Sequence, residues 1–223
     1  MIKILSTLGP GSLNKETVQT LAQKGVNLFR INLSHTALED VEGIISKLQS
    51  WTDVPVCLDS EGAQVRNGFM AGGSVVYQTG DSVRINSEAI VGDKDNISFT
   101  PDSVFSQLNE GDEIRVDFDS VAFRITGLES DQLIATVLQG GQVGSNKGAV
   151  VGRPLQLDPI TPKDKAAFKI GLSMGIKNFA LSFTHCAEDV RQVREIIGER
   201  TLISKIESIQ GVLNLKEILL LVC

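Results

Sequence analysis

Arg30, Asn32 and Ser34 alternate with Phe29, Ile31 and Leu33 in the stretch FRINLSH, and His35 follows directly. On a β-strand this alternation gives one apolar face and one polar face. A second apolar run, VPVCLD, ends in Asp59, Ser60 and Glu61, with Arg66 soon after. A third, TLISKIES, carries Lys205 and Glu207, two apart and so on one face of an extended chain. Arg30, Arg66 and Lys205 are groups that could hold a phosphate, arginine as a rigid fork of donors and lysine as a compact charge. Asp59, Glu207 and neighbouring oxygens could hold hard cations. This mixture suits phosphoryl transfer, in which catalysis is mainly positioning and charge neutralisation.

Each residue also has a plainer use. Arg30 could be a salt-bridging residue, and Asn32 and Ser34 could satisfy backbone groups. His35 could cap the next helix, Lys205 and Glu207 could form a structural ion pair, and Asp59 could be a turn residue. The glycine-rich GGQVGSNKG, residues 140–148, lacks the spacing of a phosphate loop and reads as a flexible turn. What strengthens the functional reading is common location: functional groups of α/β sheets and barrels gather at the carboxyl ends of strands. A buried polar group left unpaired costs about 1–3 kcal/mol, so several there require each other, water, ions or a ligand.

The elements that must position these tips follow from periodicity. Residues 1–67 read as strand (IKIL), helix, strand (FRINLS), helix, strand (VPVCLD). Asn14 caps the first helix, which carries Val18, Leu21 and Ala22 and stops at Gly25, with Leu13 and Val18 placed as a hydrophobic staple. Val41, Ile44, Ile45 and Leu48 form the stripe of a second helix over about 37–50. Residues 68–153 change to short strands and turns, a small β-domain inserted into the rest. From residue 154 the alternation returns: a helix begins at Thr161-Pro162, then NFALSF, a helix over AEDVRQVREIIG, TLISKIES, and a helix over GVLNLKEILLLV. Strands joined by helices imply parallel pairing, in a doubly wound sheet or a (β/α) barrel.

The chain of 223 residues has a net charge of −6, which gives a nucleic-acid role no electrostatic support. Its cysteines, Cys57, Cys186 and Cys223, show no metal spacing; Cys57 reads as a small core residue, and a reducing, cytoplasmic setting is expected. The apolar run in MIKILSTLGPGS is too short for a signal peptide, and the terminal ILLLVC is far short of the roughly 20 residues that span a bilayer. No membrane partner is expected.

In order along the chain, STLGPGS, FRINLSH, LDSEGAQVRNG, LSF and LISKIESIQGVLNLKEIL resemble motifs of the pyruvate kinase family, and the β-insertion lies where that family carries its mobile lid domain. The resemblance implies an α/β fold of the (β/α)₈ TIM-barrel type, incomplete at its C-terminus, with an inserted β-barrel lid. It implies transfer of the phosphoryl group of phosphoenolpyruvate to ADP, giving pyruvate and ATP. By motif position Arg30 contacts the phosphoryl group and Arg66 helps; Lys205 stabilises charge as the phosphoryl moves; His35 lies on the nucleotide side. Glu207 ligates Mg²⁺ or Mn²⁺, and Asn32, Ser34, Asp59 and Ser60 surround a monovalent cation, usually K⁺. Association into a homo-oligomer is expected.

Departures from the family pattern are specific. Glu61 replaces a lysine, Ala63 a proline, and Gln64 an acidic residue whose charge lies near the expected potassium site. Thr36 stands where glycine is usual. The family's GDLG segment on the sixth strand, which supplies the acidic partner of Glu207, has no counterpart, nor does the threonine of enolate protonation; complete barrels run to about 250 residues. Two accounts fit: a fragment of a longer catalytic protein, or a short homologue that associates to cover its open edge and binds phosphoenolpyruvate or a similar acid without turnover.

Overall fold

A computed structural model describes residues 2–222; Cys223 lies outside the described residues. Two compact units emerge, one from the chain up to Ala63 together with Asp158 onward, the other from Gln64–Leu157.

The first unit alternates strands and helices: β1 Leu5–Leu8, α1 Lys15–Gln23, β2 Leu28–Asn32, α2 Leu38–Trp51 and β3 Val56–Asp59. The second unit contributes β4 Val65–Asn67, β5 Ser74–Tyr77, β6 Ser82–Asn86, β7 Asn96–Thr100, β8 Glu113–Val116, β9 Val121–Glu129, β10 Gln132–Gln139, β11 Gly141–Gly144 and β12 Gly148–Val151. The first unit then resumes with α3 Pro162–Ser173, β13 Asn178–Leu181, α4 Ala187–Ile197, β14 Thr201–Ser204, α5 Ile209–Leu213 and α6 Leu215–Val222.

In the first unit five strands form one sheet in the order β1-β2-β3-β13-β14, every neighbouring pair parallel. This is the strand–helix repeat of a (β/α) barrel, interrupted after β3 by the all-β unit. Phe29, Ile31, Val56, Leu58, Phe179 and Leu181 point to the helix side, where they join Val18, Val41, Ile45, Phe168 and Val193 in one core. The apolar half of FRINLSH is therefore what glues β2 to its helices. Cross-strand partners in a parallel ladder share a face, so Thr7, Arg30 and Cys57 lie together on the other face, as do Asn32 and Asp59.

Helix starts follow their signals. Asn14 Oδ1 accepts from the Thr17 N–H at 3.0 Å, and Gly25 takes φ +93 after α1. Thr161 and Asp164 form a reciprocal capping box at α3, with Pro162 as the first helical residue.

Several elements differ from the sequence reading. The first strand is LSTL rather than IKIL: Leu5 pairs with Leu28 and Leu8 with Ile31, while the Ile4 N–H is held by Asn27 Oδ1 at 2.9 Å, ahead of the ladder. The second strand ends at Asn32, because its side chain captures the Ser34 N–H at 3.1 Å and turns Leu33–His35 into a single 3₁₀ turn. The last helix is two, broken at Asn214, whose side chain donates to the His185 carbonyl at 2.9 Å.

The second unit is a closed barrel in the order β10-β6-β7-β4-β12-β8-β9, with β11 and β5 as a separate pair. Tyr77, Val83, Ile85, Ile97, Phe123 and Ala135 fill its core. Its limits are wider than 68–153, because β4 pairs with both β7 and β12 and Leu155 and Leu157 pack on this core. Residues 141–144 are strand, not flexible turn: a Cβ on Gly141 would collide with the Ser120 carbonyl, so glycine there allows close approach.

Candidate functional site

Asp59 is the centre of the polar face. It ends β3, is wholly buried, and its Oδ2 faces two cations. Arg30, from β2, forms an ion pair with it through the guanidinium, and Lys205, directly after β14, places Nζ at 3.0 Å. Arg30 also donates from Nη1 to Thr7 Oγ1 at 2.9 Å. Ser182 Oγ lies 3.1 Å from Asp59 Oδ1 and 2.6 Å from the Ser60 carbonyl; its one proton serves one acceptor at a time. Ser60 Oγ accepts from the Ser182 N–H at 3.0 Å.

Glu207 Oε2 stands 3.5 Å from Lys205 Nζ and accepts from the Phe183 N–H at 3.2 Å. Phe183 holds φ +53, a left-handed conformation costly for an aromatic residue. Lys205 is fixed through its backbone, its N–H bonding the Leu181 carbonyl and its carbonyl accepting from the Thr184 N–H.

The ion pairs named as plainer uses are therefore real, yet they form one cluster built from three strands. The Asp59 carboxylate offsets one of two cations, and the side chains of Arg30 and Lys205 stay 24% and 26% exposed. Donors remain for an anion. Burial pushes the Cys57 thiol up to about 12, with the Asp59 charge adding and Arg30 and Lys205 opposing.

The other candidates divide. Asn32 neighbours Asp59 in register and Ser34 is half-buried, whereas His35 is exposed. Arg66 lies on β4 in the all-β unit, where Nη1 donates to the Asn146 carbonyl at 2.9 Å; its strand partners β7 and β12 decide that placement. Thr7 and Ser182 were not singled out from sequence. Thr7 was hidden by the three-residue shift of β1, and Ser182 sat inside the quoted LSF.

No group of three or more His, Cys, Asp or Glu side chains among the described residues could hold a metal ion. The donor set does not fit a divalent cation by itself: both Asp59 oxygens already face protein donors, which leaves Glu207 as a single carboxylate. The other oxygens of the cluster are engaged as well, Asn32 Oδ1 by the Ser34 N–H and Ser60 Oγ by the Ser182 N–H.

Residues 1–222 match the family described as "Pyruvate kinase, barrel domain". The chain belongs to the pyruvate kinase family. Among its relatives, the pyruvate kinase of Lactobacillus delbrueckii subsp. bulgaricus is 33% identical over 97% of this chain and 39% of its own length. That of Mycobacterium tuberculosis (strain ATCC 25618 / H37Rv) is 31% identical over 98% of this chain and 48% of its own. That of Bacillus licheniformis is 29% identical over 97% and 39%. The chain thus spans between about two-fifths and one half of the relatives' length. Glu61 finds a partner of opposite charge in Lys163, at 2.7 Å. No helix among the described residues is long and apolar enough to cross a membrane.

Proposed function

We propose that this chain carries the phosphoenolpyruvate half of a pyruvate kinase site and takes part in phosphoryl transfer to ADP. The observation that carries the reading is the convergence of Arg30 and Lys205 on the buried Asp59 carboxylate. Arg30 presents remaining guanidinium donors to the phosphoryl oxygens, with Asp59 and Thr7 holding its plane. As the phosphoryl group leaves, the P–O bond to the enol oxygen breaks and a new one forms to the terminal phosphate oxygen of ADP. Charge builds on the enolate, and the Lys205 ammonium offsets it at low cost because its position is already set. Arg66 is assigned a second contact to the phosphoryl group and His35 a place on the nucleotide side. Glu207 is one ligand of a divalent cation, Mg²⁺ or Mn²⁺, in a set these residues do not complete. Asn32, Ser34, Asp59 and Ser60 are the oxygens for K⁺. A cytoplasmic setting and a homo-oligomer belong to the same reading.

A second reading rests on the same Arg30, Asp59 and Lys205 cluster, a module that binds phosphoenolpyruvate without turning it over. Pyruvate formation from phosphoenolpyruvate, ADP and Mg²⁺, assayed with the complete natural polypeptide, separates the two. Turnover is expected, and Lys205→Met is expected to remove it while circular dichroism stays unchanged. Binding by calorimetry without turnover supports the module. Neither binding nor turnover ends both readings.

A further inference from the structure

Two consecutive residues in the first turn of α3 reach two different strand tips. Lys163 Nζ donates to the Leu33 carbonyl at 2.6 Å, just beyond β2, and to Glu61 Oε1 at 2.7 Å, just beyond β3. Asp164 accepts from the Glu61 N–H at 2.8 Å and the Gly62 N–H at 3.3 Å. Leu33 follows Asn32 in the chain, and Glu61 follows Ser60, so each contact sits next to a residue of the polar cluster.

Capping alone does not account for this. Thr161 already caps α3 by accepting from the Asp164 N–H at 3.0 Å, and a buried carboxylate is costly unless its lone pairs are used. Asp164 is wholly buried; it spends one oxygen on the Glu61 amide and shares the other between Gly62 and the Thr161 N–H, at 3.2 Å. Desolvation raises its pKa, against four hydrogen bonds from Glu61, Thr161 and Gly62 that lower it. The loop it grips is also closed from the other side, because a Cβ on Gly62, at φ +72, would collide with the Ser182 carbonyl.

We propose that the first turn of α3 is a two-pronged clamp, in which Lys163 fixes the tip of β2 and Asp164 the tip of β3. Together they set the distance of Arg30 and Asn32 from Asp59 and Ser60. Both are positioning residues for the phosphate site, an assignment that rests on reading that cluster as a phosphoenolpyruvate site. Lys163 and Glu61 side chains are 30% and 26% exposed, so the Lys163 prong can be removed without opening the core.

The test uses the full polypeptide with Lys163→Met, Lys163→Arg and Asp164→Asn. Three readouts are taken: the NMR resonance of the Arg30 Nε–H, phosphoenolpyruvate affinity by calorimetry, and the chemical denaturation midpoint. Lys163→Met is expected to shift or broaden the Arg30 resonance and weaken phosphoenolpyruvate binding about tenfold, the worth of one misplaced charged hydrogen bond. The midpoint should move little, and Lys163→Arg should restore both signals. Asp164→Asn should speed exchange of the Gly62 amide about tenfold; should that variant not fold, the Lys163 pair decides. An unchanged Arg30 resonance with wild-type affinity in folded Lys163→Met overturns the clamp. Absence of phosphoenolpyruvate binding in the wild type defeats the functional reading instead, and the Arg30 resonance and Gly62 exchange still decide the clamp.

Discussion

Lys205 Nζ lies 3.0 Å from Asp59 Oδ2, the same oxygen that receives the guanidinium of Arg30. Two cations from strands on either side of β3 thus share one buried acceptor. Their own exposure is partial, so solvent screens them on one side only. Such an arrangement holds two positive groups close together without collapse and leaves their outer donors for an anion. It works only if the parallel register is right, since Asn32↔Asp59 and Ala180↔Asp59 bring β2 and β13 against β3 at this level.

Removing the shared acceptor should expose how much it offsets. In Asp59→Ala, Arg30 loses its carboxylate partner, Lys205 keeps only Glu207 at 3.5 Å, and Ser182 Oγ loses an acceptor. Breaking a buried ion pair from one side costs about 3–5 kcal/mol; with both cations partly solvated, about 3 is expected. Urea denaturation of Asp59→Ala measures it, and a loss below about 1 kcal/mol would show that the cluster adds no stability.

Gly62→Ala tests the loop behind Asp59. Its φ of +72 is disfavoured for alanine, and the added methyl would meet the Ser182 carbonyl. The left-handed conformation costs about 1–2 kcal/mol and overpacking about 1–3 kcal/mol, so a total of about 3 kcal/mol is expected, with the Ser182–Asp59 contact disturbed. Wild-type stability in this variant would mean the loop relaxes freely.

Much of this architecture was legible because local chemistry and global fold agree. Period-two alternation put Arg30 and Asn32 on one face, and Asn14 and Thr161-Pro162 announced their helices. What escaped depended on pairing that no local window holds. IKIL and LSTL are equally strand-like, and only the match of Leu5 to Leu28 selects the second, which brings Thr7 beside Arg30. Ser182 gains its role from Asp59, more than a hundred residues earlier. Lys163 and Asp164 look like ordinary first-turn residues until Leu33, Glu61 and Gly62 are seen against them. β11 was masked by glycines, which carry little strand preference.

Cys57 should resist alkylation. It is wholly buried and its thiol titrates at about 12, so at pH 8 the thiolate is about one part in ten thousand. Iodoacetamide at that pH should leave the Cys57 peptide unmodified in the folded protein and label it in denaturant, as read by mass mapping. Cys186, half-buried, should label sooner. Rapid labelling of Cys57 in the folded state would contradict its placement beside Asp59.

The pH dependence of stability should carry the signature of Asp164. Burial raises its folded pKa above the ordinary aspartate value of 3.8. Between the unfolded and folded pKa values the folded state holds more protons, so stability falls as pH rises through that window. The contribution is full below about 3.8 and lost above the folded pKa, opposite in sign to that of Glu113, whose pKa Arg124 lowers. Denaturation curves of wild type and Asp164→Asn across the acid range isolate it. The difference between them should favour the wild type increasingly as pH drops, and a pH-independent difference would show that Asp164 titrates as an ordinary carboxylate.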